Sequence, residues 1–214
     1  MNFDFVRNFL IRLDEDNKHD QRVEAASVFA LFWNLIRSYG PRDVVEDFEG
    51  FITSLGIFRM DPGIHGGGPE RQYTIPINGI NIVFDDADMA PPQGVFGRNY
   101  ARHVHFERHP HLFAAAWTTF RNPKAKGCNF YNSSYAIRIQ SSCNYACFWQ
   151  PQHWHGTSLP NVQYSETGGP LIQSGLSLVT SNRLPNAFQS FVNGTMGEAA
   201  MEEHCSGGEI YDHT

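Results

Sequence analysis

The sequence predicts an α+β chain, mainly β, in which N-terminal helices pack on a β sandwich or jelly-roll barrel. Three observations carry that expectation. Residues 21–55 contain two apolar patterns of helical period. From residue 57 onward Gly and Pro become frequent, and aromatic and β-branched residues fill short runs between turn signals. A composition of 41% hydrophobic and 18% charged residues over 214 positions, with 17 Phe and 4 Trp, suits a packed aromatic core rather than a disordered chain.

The elements follow in order. The stretch QRVEAASVFALFWNLIRSY (21–39) places Val28, Leu31, Phe32, Leu35 and Ile36 at helical spacing and stops at Gly40-Pro41. A second helix is expected over about 42–55, with Val44, Val45, Phe48, Phe51, Ile52 and Leu55 on one face and Gly56 as its C-terminal cap. QYTIPI and INIVF flank Asn78-Gly79, a strong hairpin signal. Six further strand candidates follow: ARHVHFE, LFAAAWTTF, NSSYAIRIQ, YACFWQ, HWHGTSL and SGLSLVTS. HGGGPE (65–70) lacks the Lys-Ser/Thr sequel of a phosphate-cradling loop and reads as a connector. The expected organisation is one domain over 1–214, with helices in 1–60, a β core in 61–195 and an acidic tail in 196–214.

Net charge is -6, yet the middle of the chain is basic: Arg98, Arg102, Arg108, Arg121, Lys124, Lys126 and Arg138 face one acid, Glu107. Such a patch suits an anionic substrate or a short nucleic-acid footprint, or is simply a solvated basic face. The N-terminus lacks a charged start followed by an apolar stretch, and no window approaches a membrane span, so an intracellular protein is expected. Cys128, Cys143, Cys147 and Cys205 form no CxxC pair and read as free thiols.

The chemistry-bearing stretch is HVHFERHPH (103–111), four histidines and a carboxylate in nine residues. On a strand His105 and Glu107 project from one face, as half of a chelate. A 2-His-1-carboxylate triad needs a distant histidine, which QHWHGTSLP supplies as His153 or His155. His155 is preferred because Gly156 removes bulk beside it. His103, His109 and His111 then read as surface groups or as partners of the ligands. Trp117, Phe148, Trp149 and Trp154 are candidates for a pocket wall or a stacking platform, though such aromatics are more often core.

His105-Phe106-Glu107, the stretch GCNFYNSSYAIRIQ and the block NYACFWQPQHWHGTSLP together resemble the Fe(II)/2-oxoglutarate oxygenase superfamily, over roughly residues 95–190. With AWTTFRNP they are similar to the compact fungal and algal members related to the TET/JBP nucleic-acid base oxygenases. The resemblance implies a double-stranded β-helix core, Fe(II) held by His105, Glu107 and His155, 2-oxoglutarate as cosubstrate and O₂ as oxidant. It implies oxidation of a substrate C–H bond, with an anionic or planar substrate such as a DNA or RNA base; the absence of a recognisable DNA-binding motif keeps a free small molecule as the competing substrate class. Members commonly carry a cation one strand after the distal histidine that holds the far carboxylate of 2-oxoglutarate. Residues 156–182 contain no Arg or Lys, which leaves Arg138 and Arg183 as candidates, or another small reductant as the cosubstrate.

Two other classes compete. A cupin-type metal enzyme acting on a small molecule would use His103 and His105 with a Glu four residues on, where this chain has His109 and Pro110. A non-enzymatic jelly-roll protein accounts for the strands and gives no reason for HFE and HWHGT together.

Overall fold

A computed structural model describes residues 15–60, 73–77, 79–84, 88–162 and 169–195. The expected tail over 196–214, Cys205 and the HGGGPE loop lie outside these residues. Among the described residues the architecture is α+β: three helices, two antiparallel sheets of four strands and a separate two-stranded hairpin. None of these helices is long and apolar enough to cross a membrane.

Helix α1 (Glu15–Tyr39) begins six residues earlier than the pattern predicts, and α2 (Arg42–Leu55) follows after Gly40-Pro41. The buried face of α1 differs from the expected one. Phe29, Phe32, Trp33 and Ile36 are buried, whereas Val28, Leu31 and Leu35 stay exposed. Both sets have helical spacing, so periodicity alone could not choose between them; the larger aromatic set makes the tertiary contact. In α2 the buried residues are Val44, Phe48, Phe51 and Ile52. The helix ends at Gly56, whose φ of 60° lets its N–H reach the carbonyls of Ile52 and Thr53.

Strands β1 (Tyr73–Ile77) and β2 (Ile80–Phe84) pair with Ile77 opposite Ile80, and Gly79 takes a φ of 78° in the turn between them. The remaining strands are β3 (Gly94–Arg98), β4 (Arg102–His105), β5 (Ala114–Arg121), β6 (Phe130–Asn132), β7 (Ile137–Ile139), β8 (Tyr145–Trp149), β9 (His155–Thr157) and β10 (Gln173–Leu178). One sheet has the order β3-β10-β5-β8 and the other β4-β9-β6-β7. Strand β3 pairs with β10, β4 with β9, β5 with β8 and β6 with β7, all antiparallel. The chain is therefore a long hairpin doubled back on itself, and the β5–β10 and β6–β9 pairings join its successive turns.

Three local differences from the expected elements have physical causes. NSSYAIRIQ is not one strand: Asn132 ends β6, a single 3₁₀ turn covers Ser133–Tyr135, and Ala136 at φ 54° turns the chain into β7. Strand β3 lies outside the expected set, since its two glycines and short length hide the alternation. Helix α3 (Leu184–Val192) stands inside the stretch expected to be β core. Pro185 at its first turn and the spacing of Leu184, Ala187, Phe188 and Phe191 carry a helical signal.

The main apolar layer lies between the helices and the outer face of the first sheet. Phe29, Phe32, Trp33, Ile36 and Phe48 pack there with Ala115, Leu176 and Leu178, and Trp117 stacks on Phe32 at 5.7 Å. A smaller cluster of Phe51, Ile52, Ile57, Leu184 and Phe188 seats α3 against α2. Trp149, on the other side of the first sheet, faces the second one, where it meets Phe130 at 5.3 Å. By alternation Tyr145 and Cys147 turn the same way, and register places Ala114, Ala116 and Thr118 on that side too.

A polar bolt ties α2 to the segment between β4 and β5. The Asp47 carboxylate accepts the backbone N–H groups of Leu112 at 3.0 Å and Phe113 at 2.8 Å. It also takes the Nδ1–H of His111 at 3.2 Å, while Nε2 of His111 accepts the Thr180 hydroxyl at 2.9 Å. His111 is thus buried and structural, not a surface group, because every polar atom of its ring has a partner in the interior. Asp47→Ala should cost about 3 kcal/mol in urea unfolding, since charge-assisted hydrogen bonds contribute roughly 1.5–3 kcal/mol each and two backbone donors lose their acceptor. Burial holds the His111 imidazole below its ordinary value, against the pull of Asp47. The unfolded chain therefore takes up a proton that the native chain refuses, and stability falls as pH drops below about 6.5. Urea titrations at successive pH values check this, and His111→Gln should flatten the slope.

Candidate metal centre

Strands β4 and β9 build the site. In their antiparallel pairing His105 stands opposite His155, and Arg102 opposite Thr157, with a register irregularity between. Pairing of residues fifty positions apart puts the two rings 4.4 Å apart, centroid to centroid. Glu107 follows just beyond β4, where its backbone N–H donates to the Pro151 carbonyl at 2.9 Å and holds the carboxylate at the same end of the strands. One ligand atom from each of His105, Glu107 and His155 falls within 4.8 Å of the others, a group able to hold a metal ion.

The two histidines are oriented alike. Nδ1 of His105 lies 2.8 Å from the His103 carbonyl, and Nδ1 of His155 lies 2.8 Å from the His153 carbonyl. A carbonyl only accepts, so each Nδ1 carries a proton and each Nε2 is left as the donor atom for a metal. Nε2 of His105 faces Oε1 of Glu107 at 3.4 Å. Two lone pairs facing one another need a cation between them, either a proton or a metal ion. Burial lowers the pKa of His155, which favours the neutral, metal-binding form of its ring. Glu107 is held far below the usual carboxylate range by His105, when Nε2 carries the intervening proton, by a hydrogen bond from His109 and by the charge of Arg102, all working against burial. It is a carboxylate at any ordinary pH.

Glu107 is also fixed in place. Arg102 makes a short ion pair with Oε1, and Nε2 of His109 reaches Oε2 at 3.3 Å. His109 therefore contacts the carboxylate of a candidate ligand, while His103 is exposed. Gly156 plays a different part from the one its position suggests. It belongs to the register row of Tyr131, on the other face of the sheet from His155. A Cβ there would come within 3.1 Å of the backbone of Arg102 and Val104, so glycine lets β9 lie close against β4 rather than clearing space at the metal.

Of the aromatic candidates, Trp149 joins the site, with its ring 5.8 Å from His155 and Phe130 at 5.9 Å. Trp117 and Phe148 belong to the helix-facing layer. Trp154 is half exposed against Phe106. Nε1 of Trp149 and Oδ1 of Asn132, whose residue pairs with His155, are buried without a hydrogen-bond partner in the protein. A donor and an acceptor left open beside the ligand set are suited to a bound polar molecule.

The remaining sequence candidates do not gather here. Arg138 pairs with Tyr131 in the row of Gly156, facing away from His155, and is exposed. Arg183 precedes α3, also exposed. Arg121 is the buried cation of the basic stretch; it donates to the Gln173 side chain on β10 at 2.9 Å and pins the following loop through the Ala125 and Gly127 carbonyls at 3.1 and 2.9 Å. Sequence reading misses Arg102 and Asn132: each is an ordinary polar residue until strand pairing seats it beside the ligands. A cleft of about 660 Å³, lined by Asp47, Phe51, Arg108, His109 and Gln152 among others, runs up to His109.

His155→Ala and Glu107→Ala should each abolish stoichiometric uptake of Fe(II), Co(II) or Mn(II) under anaerobic dialysis, while the parent chain takes up about one equivalent. Unchanged far-ultraviolet circular dichroism confirms that the variants fold, and full metal retention in both would overturn the ligand assignment. Compared with protein-family models, with curated proteins and with solved structures, the chain matches none.

Proposed function

We propose that the chain is a non-haem Fe(II)-dependent dioxygenase that oxidises a substrate C–H bond with a 2-oxo acid, 2-oxoglutarate in the first instance, as cosubstrate. The observation that carries this reading is the placement of two histidines and one carboxylate at the end of the paired strands β4 and β9, each histidine presenting Nε2. An Fe(II) ion held by these three protein donors would keep positions free for a chelating cosubstrate and for O₂. The strand order supports the same reading, because two four-stranded sheets formed by one doubled-over hairpin correspond to a double-stranded β-helix.

The donor set fits the group it would hold. Two neutral imidazoles and an ionised carboxylate suit Fe(II), and the open polar atoms of Asn132 and Trp149 suit a polar co-ligand beside it. When bound, iron would supply O₂ activation coupled to decarboxylation of the 2-oxo acid. The protein's own contributions are orientation and exclusion. The His103 and His153 carbonyls fix the tautomers of the ligand histidines. His109 and Arg102 hold the carboxylate from two sides. Trp149 and Phe130 close one wall around His155 and keep water from that side. A modified nucleobase in DNA or RNA is the substrate class we favour, on the exposed cations of residues 98–138 and on the sequence resemblance.

A His₂Glu set also serves zinc hydrolases, so the decisive measurement must read iron and cosubstrate together. Anaerobic addition of Fe(II) and 2-oxoglutarate to the metal-free protein should produce a visible charge-transfer band, and admission of O₂ should then release succinate. Tight zinc binding with neither band nor succinate would overturn the oxygenase reading.

A further inference from the structure

The cleft of about 660 Å³ that runs up to His109 is within the size range of small-molecule sites, roughly 300–1,000 Å³. One wall is α2, which contributes Asp47, Gly50, Phe51 and Ser54, and the other is the segment 108–112 between β4 and β5. None of His105, Glu107 and His155 lines it, so the cleft stands apart from the metal reading.

Two of its features have no explanation in the fold itself. The first is Gly50, in the interior of α2, where a Cβ would meet no atom within 4 Å and the backbone is not left-handed. Neither packing nor conformation requires glycine there, and glycine weakens a helix interior. Its effect is to leave the α2 backbone bare along the cleft, where a ligand can lie close against it. The second is His109, whose side chain is 5% exposed and whose Nε2 is engaged by the Glu107 carboxylate. A carboxylate only accepts, so Nε2 carries the proton and Nδ1 of the neutral ring is an acceptor. That Nδ1 is buried and has no hydrogen-bond partner among the described residues. A buried acceptor left open at the inner end of a cleft is suited to a donor on a bound molecule.

The lining sets the chemical class. The rings of Phe51 and His111 stand 5.0 Å apart, and the His109 ring lies 5.9 Å from that of His111. Three ring systems along one cleft favour a flat aromatic occupant. The charges of the rim count out evenly, since Glu46 pairs with Arg42 at 2.5 Å and Asp47 is matched by Arg108. No net charge selects an ion.

We infer that this cleft is a binding site for a small, neutral heteroaromatic molecule, which lies against Gly50 and Phe51 and donates an N–H to Nδ1 of His109. Indole and 1-methylindole test it, the same flat ring with and without the donor, titrated into the metal-free full chain and followed by backbone amide NMR shifts. Saturable shifts are expected with indole, and 1-methylindole should bind about fivefold more weakly for want of one hydrogen bond. Gly50→Leu places a good helix former over the bare backbone and should abolish binding of both probes while circular dichroism stays unchanged. His109→Phe keeps a ring and removes the acceptor, so it should bind the two probes equally. Indole shifts that do not saturate in the parent overturn the inference, as does equal affinity of the parent for the two probes. Undiminished indole binding by Gly50→Leu overturns it too, as does a preference for indole that survives in His109→Phe. Because a Cβ at Gly50 meets nothing, the Gly50→Leu result locates the site whether or not His109→Phe folds. Metal uptake by the parent chain is measured separately and tests the metal reading alone.

Discussion

The antiparallel pairing of β4 with β9 is the constraint from which the rest of the site derives. It brings His105 opposite His155 and sets Arg102 beside Thr157. A slip of one residue would turn a histidine to the other face of the sheet, so register is as necessary as residue type. Close approach of the two strands needs Gly156, and the backbone bond from Glu107 to Pro151 brings the third candidate ligand in from beyond the strand end. The tautomers are settled by equally local means, since each candidate ligand histidine donates to the carbonyl two residues before it.

Packing and chemistry occupy opposite faces of the first sheet. Its outer face carries Ala115, Leu176 and Leu178, covered by the aromatic residues of α1 and by Phe48 of α2. Burial of large aromatic side chains there supplies the non-directional part of the stability, at about 25 cal/mol per Å² of apolar surface removed from water. The face turned toward the second sheet is more polar, with Thr118, Tyr145, Cys147 and Arg121. Burial pushes Tyr145 up to about 12 and Cys147 up to about 11, so both stay neutral. The Asp47–His111–Thr180 bolt joins these regions, because it anchors α2 to the chain just beyond the candidate ligands.

Much of this is legible in the chain. The second helix and its glycine cap, the hairpin at 78–79 and strands β4, β5, β8 and β10 fall where periodicity and turn residues place them. The trio His105, Glu107 and His155 can be nominated because a His-x-Glu pair on a strand and a distant His-Gly pair are uncommon together. Strand β3 and helix α3 are harder, the first because glycines interrupt its alternation and the second because it is short. The role of His111 is hidden because its partners Asp47 and Thr180 are each more than sixty residues away.

Residue order supplies the chemical inventory: which side chains can ligate a metal, which stretches repeat with helical or strand period, and where the chain must turn. These are local properties, written in side-chain type and spacing along a few residues. Packing of the folded chain selects which of two apolar stripes α1 buries, which cation stands beside Glu107, and which face of the sheet each arginine occupies. Each of those outcomes depends on the register and pairing of strands distant in the chain. Arg102 and Arg138 are equivalent as residues, and pairing sends one to the carboxylate and the other to solvent.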